Sequence, residues 1–401
     1  MPIDIGAPMR HATMRERNLA VLLGVIAEHQ PATRAQLAAL TGFTKTTVSN
    51  LIAVLAEAGL VHNGGMVHDG DRGRPGTGVL VDGAGAAGLG LEVTVDYLAA
   101  CVLDLSRRVR YRHLVTADNR NRRPEEIAAA LSLLAGKAIG SAQEQGLTVA
   151  GAVVAVPGLL DRSGMLRAPS FRWRDVPAAT LLDRVLRELR LPTKLENEAN
   201  LAALGELWFG AGRPLGDFLH VSGEIGIGAG IILNGRIFRG FHGFAGELGH
   251  IQVDPDGPQC ACGARGCLEL VAGREAMLRA VGLEPLTAWS GLDEQISALI
   301  ELLEAGDRGA MEVVRRAGDA LGRALTCIVK GLDPGAIVLG GTFSRLAAWI
   351  LQPTEAALRA GALYEQTPTV VISPLGGDAV MLGAAGQVIE DIYADPAVLL
   401  R

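Results

Sequence analysis

ELGHIQVDPDGPQCACGARGCLE, residues 247–269, is the stretch from which the rest of the chain is read. Cys260, Cys262, Cys267 and His250 place three thiols and one imidazole inside about eighteen residues. That donor set suits tetrahedral zinc, and Gly257, Gly263 and Gly266 let the chain fold around an ion. Four protein ligands close the shell and leave no position for water, so the expected Zn2+ is structural. Two carboxylates, Glu247 and Glu269, bracket the run. The other cysteines, Cys101 and Cys327, stand alone in apolar surroundings, and an odd, clustered set argues against a disulfide framework.

Around this stretch lie 401 residues, enough for two or three domains, with 49% hydrophobic and 20% charged residues, a globular composition. Glu92, Asp96 and Pro157 interrupt the longest apolar runs before they reach the ~18 to 20 residues of a membrane helix. Net charge is -6, yet residues 1–82 hold seven Lys/Arg against seven Asp/Glu, so the excess acid lies beyond them. A nucleic-acid contact would have to come from local clusters, because no diffuse basic field exists. Arg15 and Arg17 ahead of Leu19–Ala27 imitate a secretory leader, but Glu28 and His29 follow with no small-residue cleavage site. The reading is an amphipathic helix in a cytoplasmic protein.

Leu19, Leu22, Leu23 and Ile26 recur at helical spacing up to Pro31. Thr33 and Gln36 have the spacing of a capping box opening a second helix, and Thr41-Gly42-Phe43 turns into a third that Thr44 caps and Gly59 stops. With Val48, Leu51 and Leu55 facing inward, that third helix presents Thr46, Ser49, Asn50 and Ala53 outward, with Lys45 and Thr47 beside them. Short polar side chains of this kind suit entry into a major groove. Leu60–Asp82 then reads as a β-ribbon whose tip carries Arg72 and Arg74, suited to a narrow minor groove. The expectation is a winged helix over residues 1–82 and a Gly-rich hinge over 83–90.

From Leu89 the texture changes to strand runs at Leu89–Val95, Leu98–Leu105 and Val109–Val115, a helix at Pro124–Gln145 and a strand at Val149–Val156. A second series opens near Asp217 with Asp217–Val221, Ile227–Leu233 and an Asn234-Gly235 hairpin, then a helix near Gly309–Lys330, a strand at Ala336–Leu339 and a final helix from Gly383. Two similar halves predict a duplicated, two-lobed α/β body, residues 91–215 and 216–401, with the zinc loop in the second lobe and a cleft between lobes.

The chain resembles the ROK proteins (repressors, open reading frames and sugar kinases). The resemblance rests on Glu247-x-x-His250, the cysteine run with Glu269, Leu195-Glu196-Asn197-Glu198-Ala199-Asn200, Val156-Pro157-Gly158, and Asp333-Pro334 leading to Gly340-Gly341. It covers nearly the whole chain, and the winged helix marks the repressor branch, which includes xylose and N-acetylglucosamine repressors. The resemblance implies an actin-like (ribonuclease H-like) sugar-kinase body that binds a sugar in its cleft. It also implies that Asn197 and Glu198 stand where the kinases have an asparagine and the catalytic aspartate, and that Glu247, His250 and Glu269 bond sugar hydroxyls. Carboxylates and amides pair with several vicinal hydroxyls at once, and His250 can give one ring nitrogen to zinc and the other to a hydroxyl.

Departures from the kinase pattern fall at the phosphate loops. Where the kinases have Asp-x-Gly-Gly-Thr this chain reads Glu92-Val93-Thr94-Val95-Asp96, and β-branched Val95 disfavours the positive φ of a phosphate turn. Glu224-Ile225 stands where the kinases have Gly-Thr, and a carboxylate there repels nucleotide phosphate. The expectation is a non-enzymatic, sugar-responsive repressor that binds operator DNA as a homodimer or dimer of dimers and is released by sugar. The competing readings are an active ATP-dependent sugar kinase carrying a DNA-binding domain and a scaffold for a transport-system protein.

Overall fold

In the computed structural model, which describes residues 11–67, 76–224, 226–283, 292–363 and 366–400, the chain starts with helix α1 (His11–His29). Leu19, Leu22, Leu23 and Ile26 are buried there, so the leader-like apolar run is a core stripe. After β1 (Ala32–Thr33) comes α2 (Arg34–Thr41), opened by Thr33 and Gln36 bonding each other's backbone as a capping box and closed by left-handed Gly42. Thr44 accepts the Thr47 N–H at 3.1 Å and starts α3 (Lys45–Glu57), which buries Val48, Leu51, Ile52 and Leu55. β2 (Val61–Val67) and β3 (Gly76–Val81) form an antiparallel ribbon, irregular across Gly64-Gly65, and β1 pairs with β3 to make a three-stranded wing. Its tip, with Arg72 and Arg74, lies outside the described residues.

The body repeats one topology twice. The first half comprises β4 (Ala86–Val93), β5 (Tyr97–Asp104), β6 (Val109–Thr116), α4 (Pro124–Glu144) and β7 (Thr148–Val156). It continues through a small ribbon of β8 (Leu159–Leu160), β9 (Met165–Ala168) and β10 (Trp173–Pro177) to α5 (Ala178–Leu189), β11 (Thr193–Asn197) and α6 (Glu198–Phe209). The second half comprises β12 (Phe218–Gly223), β13 (Ile227–Leu233), β14 (Arg236–Ile237), α7 (Glu269–Ala272), α8 (Arg274–Ala280), α9 (Leu292–Glu304) and α10 (Arg308–Leu332). It ends with β15 (Ala336–Gly340), α11 (Gly341–Arg345), α12 (Ala347–Gly361), β16 (Thr369–Ile372) and α13 (Ala379–Ala394).

The sheet orders are β11-β7-β4-β5-β6 and β14-β13-β12-β15-β16. In each, the first strand of the half lies central, its hairpin partners flank it antiparallel on one side, and two crossover strands join it parallel on the other. The expected Asn234-Gly235 hairpin forms with φ of 52° and 67°, the doubly positive pair that a two-residue turn requires.

Two expectations about boundaries are corrected. Residues 83–90 are not a hinge: β4 begins at Ala86 and is buried along its whole length. Its glycines are there for contact, since a Cβ on Gly88 would lie 2.6 Å from Ala385 O and one on Gly90 2.7 Å from Met381 O, both on α13. Nor does the second lobe run unbroken to residue 401, because α13 returns to the first sheet. Tyr393 donates its hydroxyl to Leu105 O at 2.6 Å, and Lys194 pairs with Asp391 at 2.7 Å. Helices α6 and α13 form the layer between the two sheets, with Ala199 O only 2.5 Å from a Cβ placed on Gly230 of β13.

Burial is continuous from α1, α2, α3 and the wing through β5 and α13 to β12 and β15. α1 itself packs on α13 and on the C-terminal turn Pro396–Leu399. At the α6–α13 crossing a Cβ on Gly383 would collide with Leu201 O, whereas one on exposed Gly136 of α4 meets nothing within 4 Å. Gly383→Ala should therefore destabilise the protein by about 1 to 3 kcal/mol or more, and Gly136→Ala should stabilise it by about 0.5 to 1 kcal/mol, both read by chemical denaturation.

Candidate functional site

The loop after β14 brings the predicted ligand set together. The donor atoms of His250, Cys260, Cys262 and Cys267 all lie within 4.8 Å of one another. Tetrahedral zinc with Zn–S of about 2.3 Å and Zn–N of about 2.1 Å spaces its ligands roughly 3.4 to 3.8 Å apart, so a small contraction closes the shell. Cys262 Sγ and Cys267 Sγ are already 3.6 Å apart, as are Cys260 Sγ and His250 Nδ1. The loop reaches this shape through left-handed Gly263 and Gly266, and Gly266 leaves no room for a side chain against Asp254 O. Cys262 is held below the usual thiol range mainly by the Ala264 N–H, while burial raises Cys267.

Nδ1 of His250 faces the thiols, and Nε2 turns away from them to within 3.9 Å of Glu247. Glu269, at the start of α7, reaches both sides: Oε1 is 3.0 Å from Cys260 Sγ and 3.3 Å from His250 Nδ1, while Oε2 faces Gly226. The His/Cys3 cluster and the two carboxylates thus form one unit. Asn197 caps α6 by accepting the Asn200 N–H at 3.0 Å and donates to Gly158 O at 2.8 Å, which ties the Pro157-Gly158 turn to the helix. Sequence reasoning missed its neighbour: Glu196 takes both Nε and Nη2 of Arg239, at 2.9 and 2.6 Å, and accepts from Asn200 at 3.0 Å. The only sequence signal was Glu196 lying inside the same motif.

Glu198 stands on the wall of a cleft that is partly open to solvent. Glu92 and Glu224 share the cleft with it, along with Tyr97, His220 and Arg274. Tyr97 donates to Glu92 at 2.9 Å. Burial, assisted by Glu198 and Glu224, pushes Glu92 up to about 8; burial and Glu224 push Glu198 up to about 8; burial alone lowers His220 to about 4. His220 and Arg274 carried no sequence signal, because a single histidine in an apolar strand reads as core.

The turn from Glu92 to Tyr97 is closed on itself. The Thr94 hydroxyl accepts the N–H groups of Asp96 and Tyr97 at 3.2 and 3.1 Å, and Thr94 N–H goes to Tyr97 O at 3.0 Å. No residue of this turn has a positive φ. In the second loop the Glu224 carboxylate sits where a side chain on Gly341 would have to go.

The ROK family profile matches residues 88–390, three quarters of the chain, and a MarR family profile matches residues 20–69. The chain belongs to the ROK family. It is 30% identical over 389 residues to the xylose repressor of Bacillus subtilis, covering 94% of this chain and 96% of that one. The ROK body alone is 36% identical over 250 residues to the glucokinase of Thermotoga maritima, covering 59% of this chain and 78% of the kinase. In three dimensions, the crystal structure of a ROK family transcriptional regulator described as a homologue of the Escherichia coli Mlc protein superposes with a TM-score of 0.78 at 24% identity, over 96% of this chain and 98% of that chain. These matches confirm a MarR-type winged head on a ROK sugar-kinase-like body.

Outside the ROK body, α3 exposes Lys45, Thr46, Ser49, Asn50 and Ala53. Thr47 is half-buried and spends its hydroxyl on Thr44 Oγ1 at 2.9 Å, so it completes the cap. No helix among the described residues is long and apolar enough to cross a membrane.

The cleft carboxylates set a pH dependence. Between about pH 4.5 and 8 the folded state holds protons on Glu92 and Glu198 that the unfolded chain releases, so their contribution is lost as pH rises; His220 acts oppositely, but only between about 4 and 6.5. The melting temperature should fall from pH 6.5 to 8, and Glu92→Gln should flatten that slope in thermal melts across this range.

Proposed function

We propose that this chain is a sugar-responsive transcriptional repressor, acting in the cytoplasm, whose winged head binds operator DNA and whose body binds the sugar that releases it. The observation that carries the reading is the continuous packing of the head onto α13, the helix whose first residues line the cleft. The full-length similarity to the xylose repressor supports it. On this reading Lys45, Thr46, Ser49 and Asn50 face the major groove, Arg72 and Arg74 reach the minor groove, and two heads read a palindromic operator from a dimer or dimer of dimers. Sugar releases DNA only by binding the DNA-incompetent arrangement more tightly, and a coupling of about 1 to 3 kcal/mol changes operator affinity about 5- to 150-fold.

Glu247, His250 and Glu269, with Asn197 and Glu198 across the cleft, are assigned to sugar hydroxyls. The donor set and spacing fit Zn2+ on His250, Cys260, Cys262 and Cys267. With a closed shell the ion would supply cross-linking rather than Lewis-acid chemistry, holding the loop that presents Glu247 and Glu269.

A kinase reading is favoured by the 36% identity to a glucokinase. Against it stand the closed turn at Thr94, where Thr94 and Val95 replace both glycines of the first phosphate loop, and the carboxylate of Glu224 in the place of a glycine in the second. A coupled assay for sugar-dependent ADP release separates the two, with turnover above the no-sugar control favouring the kinase.

Glu247→Ala should leave operator affinity without sugar nearly unchanged and raise the sugar concentration for half-release by roughly ten- to hundredfold, as losing a charged hydrogen bond worth about 1.5 to 3 kcal/mol requires. Fluorescence anisotropy on labelled operator measures both quantities. Release of a well-folded variant at the wild-type sugar concentration would remove the cleft as the sensor. Cys262→Ser should lose both zinc, read by elemental analysis, and sugar affinity, read by calorimetry. Zinc loss with sugar affinity intact would separate the metal from the sugar site.

A further inference from the structure

Asp96 receives a guanidinium from each half of the body. Its Oδ1 accepts from Arg120 of its own half at 3.1 Å, and its Oδ2 pairs at 3.4 Å with Arg274, the first residue of α8 in the second half. The Asp96 and Arg274 side chains are 17% and 3% exposed. Two further contacts cross between the halves, Arg239 with Glu196 and Arg162 with Gly240 O at 3.0 Å, but both arginines are exposed. Exposed pairs contribute little, whereas a pair shielded from water keeps more of its attraction. The buried pair is therefore the contact on which the closeness of the two halves depends.

Both ends of the pair are fixed. Asp96 ends the closed turn at Thr94, and the buried Asn119 amide donates to Thr94 O at 2.8 Å and Tyr97 O at 3.2 Å on either side of it. Arg274 lies five residues beyond Glu269, and the Gly273 N–H bonds Glu269 O at 3.1 Å, so arginine and sugar-site carboxylate belong to one piece. Behind Asp96, β4 carries α13, and α1 of the head packs on α13. The pair can also separate. Breaking a buried ion pair is most costly when it leaves a charge uncompensated. Here Arg120 stays on Asp96, and Arg274 lines the partly open cleft, so parting the halves gives it to water.

We propose that Asp96 and Arg274 form an interlobe latch that holds the body in its closed, sugar-binding arrangement and opens in the arrangement that binds DNA. The proposal rests on the sugar reading above, in which one ring must reach Asn197 and Glu198 on one side and Glu247, His250 and Glu269 on the other. It makes Asp96 and Arg274 positioning residues that set sensitivity to sugar without touching it. A ligand that binds only the closed arrangement has its apparent affinity reduced by whatever lowers the closed fraction.

Two substitutions on the same carboxylate test this in the full-length protein. Arg274→Met removes the partner across the halves, and Arg120→Met removes the partner within one half. Titration calorimetry with xylose and glucose should show Arg274→Met binding about tenfold more weakly, the factor for one charged hydrogen bond, and Arg120→Met within about twofold of the parent. Operator affinity without sugar, read by anisotropy, should be unchanged or tighter in Arg274→Met. Small-angle X-ray scattering without sugar should give Arg274→Met the larger radius of gyration and leave Arg120→Met at the parent value. Thermal melts check folding, and Arg274→Gln takes the place of a methionine variant that does not fold. A folded Arg274 variant with the parent sugar affinity would overturn the latch, as would equal losses in the Arg274 and Arg120 variants. No heat from either sugar with the parent protein would count against the sugar reading; scattering then decides the latch alone, and an unchanged radius in the Arg274 variant would overturn it.

Discussion

Helix α13 occupies its position only because glycine faces it wherever backbone meets backbone. Gly88 and Gly90 of β4 let it lie on the first sheet, and its own Gly383 crosses α6 at Leu201 while Gly205 of α6 admits Ala379. A side chain at any of these positions would push the helix away, and the layer between the two sheets would have to rearrange. From this seat α13 connects the cleft to the head: Ala379 and Val380 line the cleft, and further along the helix packs on α1. On the proposed reading, an element with one end at the cleft and the other on the DNA-binding head is the kind of part that carries coupling between sites.

Much of this was legible locally. The caps at Thr33 and Thr44, the stripe of Leu19, Leu22, Leu23 and Ile26, and the Asn234-Gly235 turn depend on residues within a few positions of one another, and they appear where their spacing put them. The clustering of His250, Cys260, Cys262 and Cys267 was legible for the same reason, since all four lie in one loop. What failed was non-local. Gly83–Gly90 read as a hinge because a glycine that admits a distant helix looks, in sequence, like one that bends the chain. The return of α13 to the first sheet was hidden because its partners precede it by almost three hundred residues. His220 and Arg274 carried no signal because nothing near them in sequence marks them as lining the cleft.

The cleft chemistry follows from burial. Burial, with smaller contributions from neighbouring carboxylates, raises Glu92 and Glu198 to about 8, and burial of His220 keeps it neutral. The turn at Thr94 spends on its own hydroxyl the backbone N–H groups that a phosphate loop leaves free. On the proposed reading, a kinase-like body altered at these two places couples sugar binding to a reader of DNA.

Reciprocity tests that claim most directly. If sugar weakens operator binding through the body, the operator must weaken sugar binding by the same factor, because both are one coupling free energy. Calorimetric titration of the sugar into the free protein and into the protein saturated with operator measures the second effect; anisotropy with and without saturating sugar measures the first. Equal factors are expected, in the range of about 5- to 150-fold. Identical sugar affinities in the free and operator-bound protein would contradict it.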